Sequence, residues 1–320
     1  MKALVATALL SSLSLLASCA APPPPTPPTP EPAEAPAPQA EPDPAPSPPA
    51  EQEAAPGELG AITELGLSGV SPHMEATDNG YRLYYASIEV GGLAVDNCTA
   101  QWECSNQVVL QRMADLTIVE TGSGERRGYW VELNPDTKDK EIFTGLVAAD
   151  GSSTSGGTSL GFSSAGQMAW GVPDAVTLPD GRVRLYWVVT GEGRASERIV
   201  SATSTDTTGT AFEMDNGFRL TGGYVDFEVL QAVDGDWVGV MSSSPENLPE
   251  NPQGLFVGTS KDGIEWEVSP VNIAPSDMSY LDPTGIPQPD GSFLIVMAVA
   301  PNEMGDRDYT LSVTTLTVGD

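Results

Sequence analysis

From about residue 58 onward the chain is written in short runs that alternate apolar and polar residues, and stretches of helical period are hard to find. Such alternation puts successive side chains on opposite faces of an extended strand. The runs come in pairs around a polar turn that ends in glycine, which is how a β-hairpin is written in sequence. Residues 172–187, VPDAVTLPDGRVRLYW, form one such pair. Three others share its spacing: SPHMEATDNGYRLYY (71–85), DFEVLQAVDGDWVGV (226–240) and DPTGIPQPDGSFLIV (282–296). In each, a landmark precedes the turn glycine by eight positions: Pro72 and Gly80, Pro173 and Gly181, Phe227 and Gly235, Pro283 and Gly291.

The turn glycines are spaced by 101, 54 and 56 residues. A period near fifty with several strands per unit predicts propeller blades, and the doubled first step predicts a degenerate second blade between Leu116 and Gly166. Third strands follow the second and third of these hairpins in RIVSATSTD (198–206) and GLFVGTSKDGIEW (254–266). The last unit lacks a fourth strand, and ELGAITELGLS (58–68) is expected to supply it. That would close the ring and remove exposed sheet edges. The expected fold is therefore all-β, a five-bladed β-propeller over residues 58–320.

What precedes the blades cannot build a core. Residues 1–18 carry one basic residue, a short apolar stretch and small residues, the pattern of a signal peptide. Leu16-Ala17-Ser18-Cys19 resembles the bacterial lipobox, which implies export, cleavage and a lipidated Cys19. Ala20 stands where an aspartate would signal inner-membrane retention, so the outer membrane is favoured. Residues 19–57 turn to proline and alanine with six carboxylates and no aromatic or basic side chain, a disordered tether whose extended reach is on the order of 100 Å.

Charge and cysteine count narrow the function classes. Of 44 acidic and 14 basic residues the first 57 positions take six and one, leaving 38 against 13 in the blades. So acidic a surface repels phosphate backbones and excludes nucleic acid as partner. Cys98 and Cys104, in NCTAQWEC, read as a disulfide in an exported chain, contributing roughly 2 kcal/mol. With His73 the single histidine, the residues cannot complete a tetrahedral zinc site, and Ser-His-Asp chemistry is left without a base unless His73 supplies it.

DPTGIPQPDGSF resembles the inner-strand signature of five-bladed glycoside hydrolases of the arabinanase and levansucrase type. SKDGIEW (260–266) resembles the Asp-box turn of those enzymes and of sialidases, where Ser260 and Asp262 would bond the turn's backbone while Trp266 packs between sheets. In a propeller the first strand of each blade lines the tunnel, so equivalent residues form a ring at its mouth. Aligning the hairpins sets Ser71, Val172, Asp226 and Asp282 at one level and His73, Asp174, Glu228 and Thr284 two residues on. Glu75 shares a face with His73. Glu75, Asp174, Asp226, Glu228 and Asp282 are thus expected to converge, and crowded carboxylates raise one another's pKa, as glycosidic cleavage requires.

The resemblance implies Glu228 as general acid and Asp174 or Asp282 as supporting aspartates. The related enzymes carry an aspartate as base or nucleophile on the first inner strand, where this chain has Ser71 and His73, so Glu75 would have to substitute. Asp226, His73 and Trp170 complete the candidate ligand contacts, His73 as a hydrogen-bonded tunnel residue and Trp170 either stacked on a sugar or in the core. Trp187, Trp237, Tyr84, Tyr85, Met241 and Met297 on second strands read as packing. No cofactor is indicated. Calcium held through oxygen ligands is the other role open to the carboxylates. Two functions follow: a membrane-anchored propeller that binds and, if a glycoside hydrolase, cleaves a glycan at its mouth, or a non-catalytic scaffold for polysaccharide or envelope protein.

Overall fold

The computed structural model describes residues 57–319 except 88, 111, 165–169, 191–196, 234, 245–251 and 302–307. The signal peptide, Cys19 and the proline-rich tether lie outside the described residues. Two short strands come first, β1 (Gly57–Leu59) and β2 (Thr63–Ser68). Blade 1 holds β3 (Val70–Thr77), β4 (Gly80–Ser87), β5 (Gly92–Thr99) and β6 (Cys104–Leu110). Blade 2 holds β7 (Ala114–Glu120), β8 (Arg126–Leu133), β9 (Lys140–Val147) and β10 (Thr154–Ser163). Blade 3 holds β11 (Gly171–Thr177), β12 (Val183–Val189), β13 (Arg198–Ser204) and β14 (Phe212–Met214), and blade 4 holds β15 (Tyr224–Val233), β16 (Asp236–Ser243), β17 (Leu255–Ser260) and β18 (Trp266–Val268). Blade 5 is built from β19 (Met278–Pro287), β20 (Phe293–Pro301) and β21 (Thr310–Val318), completed by β1 and β2, which both pair with β21. The two ends of the domain thus share one sheet, as the shortfall of the last unit predicted.

Blade 2, expected as a degenerate copy, is a complete four-stranded sheet. Its hairpin keeps the common spacing, with Leu116 eight residues before Gly124. The glycines at 124, 181, 235 and 291 all adopt φ between 75° and 88°, the left-handed region that a side chain disfavours.

A blade is covered by a neighbour on each face, so its second strand is apolar on both sides rather than alternating. In β12, Leu185 and Trp187 enter the cluster shared with blade 2 while Tyr186 and Val188 enter the one shared with blade 4. Five such clusters occur, one at each blade boundary. Met241 and Met297 are fully buried among them, and Trp187, Trp237, Tyr84 and Tyr85 are buried too.

Arg-x-Tyr recurs at one register in the first three second strands, as Arg82/Tyr84, Arg127/Tyr129 and Arg184/Tyr186. It clasps the outer turn of the following blade. Arg82 Nη1 donates to Ala149 O (3.0 Å), Tyr129 Oη to Gly209 O (2.9 Å), Arg184 Nη1 to Asp262 O (2.7 Å) and Tyr186 Oη to Gly263 O (2.8 Å). At the Asp-box turn Ser260 Oγ accepts from Gly263 N (2.9 Å), Asp262 Oδ1 accepts from Ile264 N (2.8 Å), and Trp266 packs edge-on to Phe227. Cys98 and Cys104 are disulfide-bonded across the β5–β6 hairpin.

Starting the chain at residue 70 strips β1 and β2 and leaves β21 with an unpaired edge. Size-exclusion chromatography should then show self-association, and thermal unfolding should lose its single cooperative transition. A monomeric truncation with an unchanged melting curve would mean that the seam is not what closes the ring.

Candidate functional site

The five inner strands share one irregularity near their start. In each, the ladder to the second strand skips, between Val70 and His73, Ala114 and Thr117, Gly171 and Asp174, Val225 and Glu228, and Leu281 and Thr284. The residue at the bulge has a positive φ in all five: Ser71 (50°), Asp115 (52°), Val172 (47°), Asp226 (50°) and Asp282 (46°). Left-handed backbone costs a non-glycine residue about 1–2 kcal/mol, and for a β-branched valine it is a true outlier. Neighbours hold it there. Asp115 Oδ2 accepts the N–H of Val172 (3.3 Å), Asp226 Oδ2 that of Asp282 (3.4 Å), and Asp282 Oδ2 that of Ser71 (2.9 Å). Every bond joins a bulge carboxylate to the equivalent residue one blade on, so the bulge ring is a set of blade-to-blade ties.

Two residues further along, His73, Thr117, Asp174, Glu228 and Thr284 form a second tier. Asp174 Oδ2 accepts from Val229 N (2.9 Å) and Glu228 Oε1 from the Thr284 hydroxyl (2.9 Å). Within the tiers the carboxyls meet in pairs, Asp174 with Glu228 and Asp226 with Asp282. Burial, then repulsion from the partner carboxylate, pushes Glu228 and Asp226 well above the usual range. Burial lifts Asp174 to about 7; burial and then the charge of Asp115 lift Asp282 to about 6. Burial also drives His73 down to about 4, against the pull of Glu75, so the imidazole is neutral near pH 7. Its Nε2 is buried with no hydrogen-bond partner among the described residues, which departs from the expected hydrogen-bonded role.

Ser71, His73, Asp115, Thr117, Val172, Asp174, Asp226, Glu228 and Asp282 line one axial cavity with a free volume of about 20 Å³. That admits one or two water molecules. A sugar ring does not fit within it, so a saccharide at this end would lie across the mouth, where Asp115, Val172 and Glu228 are only half-buried.

Of the expected site residues, Asp174, Asp226, Glu228, Asp282 and His73 are thus brought together. Glu75 is elsewhere. Its carboxylate takes the Arg126 guanidinium and the Tyr84 hydroxyl (2.9 Å), with Arg82 at 4.0 Å, between blades 1 and 2 rather than at the cavity wall. Trp170 is 4 % exposed and sits in the blade 2–3 core, with Lys140 Nζ on its carbonyl (3.0 Å). Asp115 and Thr117 of blade 2 were not anticipated. Counting back eight positions from Gly124 would have found them, because Leu116 stands where the other blades have Pro or Phe. Among the described residues no group of three or more His, Cys, Asp or Glu is arranged to hold a metal ion.

No protein-family model matches this sequence, and no curated protein matches it significantly. Solved structures do. A thermostable family-43 glycoside hydrolase superposes with a TM-score of 0.65 at 12% identity, over 80% of this chain and 92% of that one. An endo-arabinase from Bacteroides thetaiotaomicron gives 0.62 at 12% identity, over 81% and 98%. An N-acetylgalactosamine deacetylase from F. plautii, solved with blood group B trisaccharide, gives 0.56 at 11% identity, over 82% and 97%. The likeness is one of fold: this chain is a five-bladed β-propeller of the architecture used by arabinanase-type glycoside hydrolases, and that architecture also carries a different reaction.

The raised carboxyls fix the sign of a pH effect. The native ring holds protons that the unfolded chain releases near pH 4, so their stabilisation is complete below about pH 4 and is lost as pH climbs through 6 to 7. Thermal unfolding of the full-length protein should therefore shift to lower temperature between about pH 4.5 and 8. Asp174→Asn, which keeps an acceptor for Val229 N–H but has no proton to lose, should flatten that decline. An identical slope in the variant would remove the pair as its cause.

Proposed function

We propose that this protein is an exported lipoprotein, anchored through Cys19 to the outer membrane and held off it by its proline-rich tether, whose propeller binds a glycan across the tunnel mouth without cleaving it. The observation that carries this reading is the employment of the axial carboxyls as blade-to-blade ties. Cleavage needs a protonated acid and an ionised base or nucleophile facing each other across a sugar. Glu228, with its raised pKa, has the protonation state of an acid. No ionised partner stands opposite on the first inner strand, where Ser71 and neutral His73 line the cavity and Glu75 is tied to Arg126. The likeness to glycan-active propellers and the half-buried polar rim support a carbohydrate ligand.

Incubated with arabinan, xylan and other plant and bacterial polysaccharides, the full-length protein should release no more reducing ends than Glu228→Gln does. Affinity electrophoresis should meanwhile show retardation by at least one of them. Turnover that disappears in Glu228→Gln would establish a hydrolase. Retardation by none would turn the reading towards an envelope-protein partner. Cys19→Ala should release the protein from the membrane fraction.

A further inference from the structure

The turn between β5 and β6 belongs to no part of the axis, and β5 begins where β4 ends, so Thr99 pairs with Gly80 at the end of the propeller away from the mouth. Two backbone bonds close it: Thr99 N to Glu103 O (3.1 Å) and Trp102 N to Thr99 O (2.9 Å). The same two bonds close the turns at 121–125, 178–182 and 288–292. In those three, the position that must adopt a positive φ is glycine: Gly124 (80°), Gly181 (84°) and Gly291 (88°). Here it is Trp102, at 65°. A bulky residue in that region is an outlier that something must hold in place. Of the four turns this one alone is stapled, by Cys98–Cys104.

The staple presents an aromatic face. Trp102 lies parallel on Tyr81, ring centroids 4.5 Å apart and planes within 8°. Four of the six tryptophans, at 130, 170, 187 and 237, are buried, but Trp102 is only half-buried. Tyr81 stacks on one face of the ring, and the ring as a whole remains partly open to solvent. Both rings also rest on the blade 5–1 core. The sister turns keep the same two backbone bonds with no side chain at this position, so the turn's geometry by itself does not require tryptophan. Gln101 and Glu103 flank the ring and are exposed. Their backbone N–H groups are bound to Thr99 Oγ1 (3.3 and 3.2 Å), and their side chains have no protein partner among the described residues.

We propose that this turn is a second saccharide-binding site, remote from the axis, with Trp102 as the stacking platform and Gln101 and Glu103 as acceptors and donors for ring hydroxyls. A rigid aromatic face bordered by an amide and a carboxylate matches a sugar's apolar C–H face and its polar rim. A turn with no basic residue, on so acidic a surface, disfavours anionic ligands. The site stands independently of binding at the mouth.

Full-length protein should be compared with Trp102→Gly, Trp102→Phe and Glu228→Gln on an array that prints glycans beside proline-rich and other peptides. Trp102→Gly restores the residue that the sister turns use, so it should fold, as a melting curve will verify. It should weaken binding to a defined subset of glycans about tenfold, the worth of one aromatic stack, while Trp102→Phe largely preserves it. Glu228→Gln should leave that subset bound. Three outcomes would overturn the proposal: no glycan bound by the wild type, equal glycan binding by Trp102→Gly, or losses confined to the peptide spots. Loss in Glu228→Gln alone would reject this site and keep the one at the mouth.

Discussion

Five sheets meeting around an axis must each bend their innermost strand, and every bend frees a backbone N–H with no ladder to join. The protein meets this constraint with carboxylates: Asp115, Asp226 and Asp282 each accept that N–H from the following blade, and Asp174 repeats the arrangement one tier deeper. Burying so many ionised acids together would be prohibitive, and Asp174 with Glu228 and Asp226 with Asp282 stand as pairs whose carboxyls are all raised. Ring closure and acid–base chemistry therefore draw on the same atoms. On the proposed reading, closure takes them.

Away from the axis the joins are of a different kind. Aromatic and aliphatic clusters fill every blade boundary, and the Arg-x-Tyr pairs reach the next blade's outer turn from the flank. These contacts are insensitive to protonation at ordinary pH. The molecule thus has an outer shell held by apolar burial and an axis held by proton-bearing hydrogen bonds. The first sets the architecture and the second sets what chemistry the tunnel can offer.

Much of the architecture was legible in one sequence, because a hairpin's alternation and its turn glycine are local features. Blade 2 was obscured only by its landmark: with Leu116 in place of proline, the interval to Gly124 went unnoticed, and Asp115 went with it. Glu75 was assigned by strand alternation, which keeps it beside His73 but says nothing of Arg126 on the neighbouring blade. The ties at the axis could not be read at all. Asp282 and Ser71 are 211 residues apart and Asp174 and Val229 are 55 apart, so only the closed ring shows that these side chains are already spoken for.

The seam in blade 5 also orders the life of the chain. β1 and β2 are made among the first residues of the domain, and β21, their partner, among the last. Until then the earliest strands have nothing to lie against, and a loop of more than 240 residues must close before they do. Contacts so distant in sequence make folding slow, and an unfinished ring shows a bare strand edge throughout the wait. A ribosome halted before β21 was made would deliver four finished blades and an open circle.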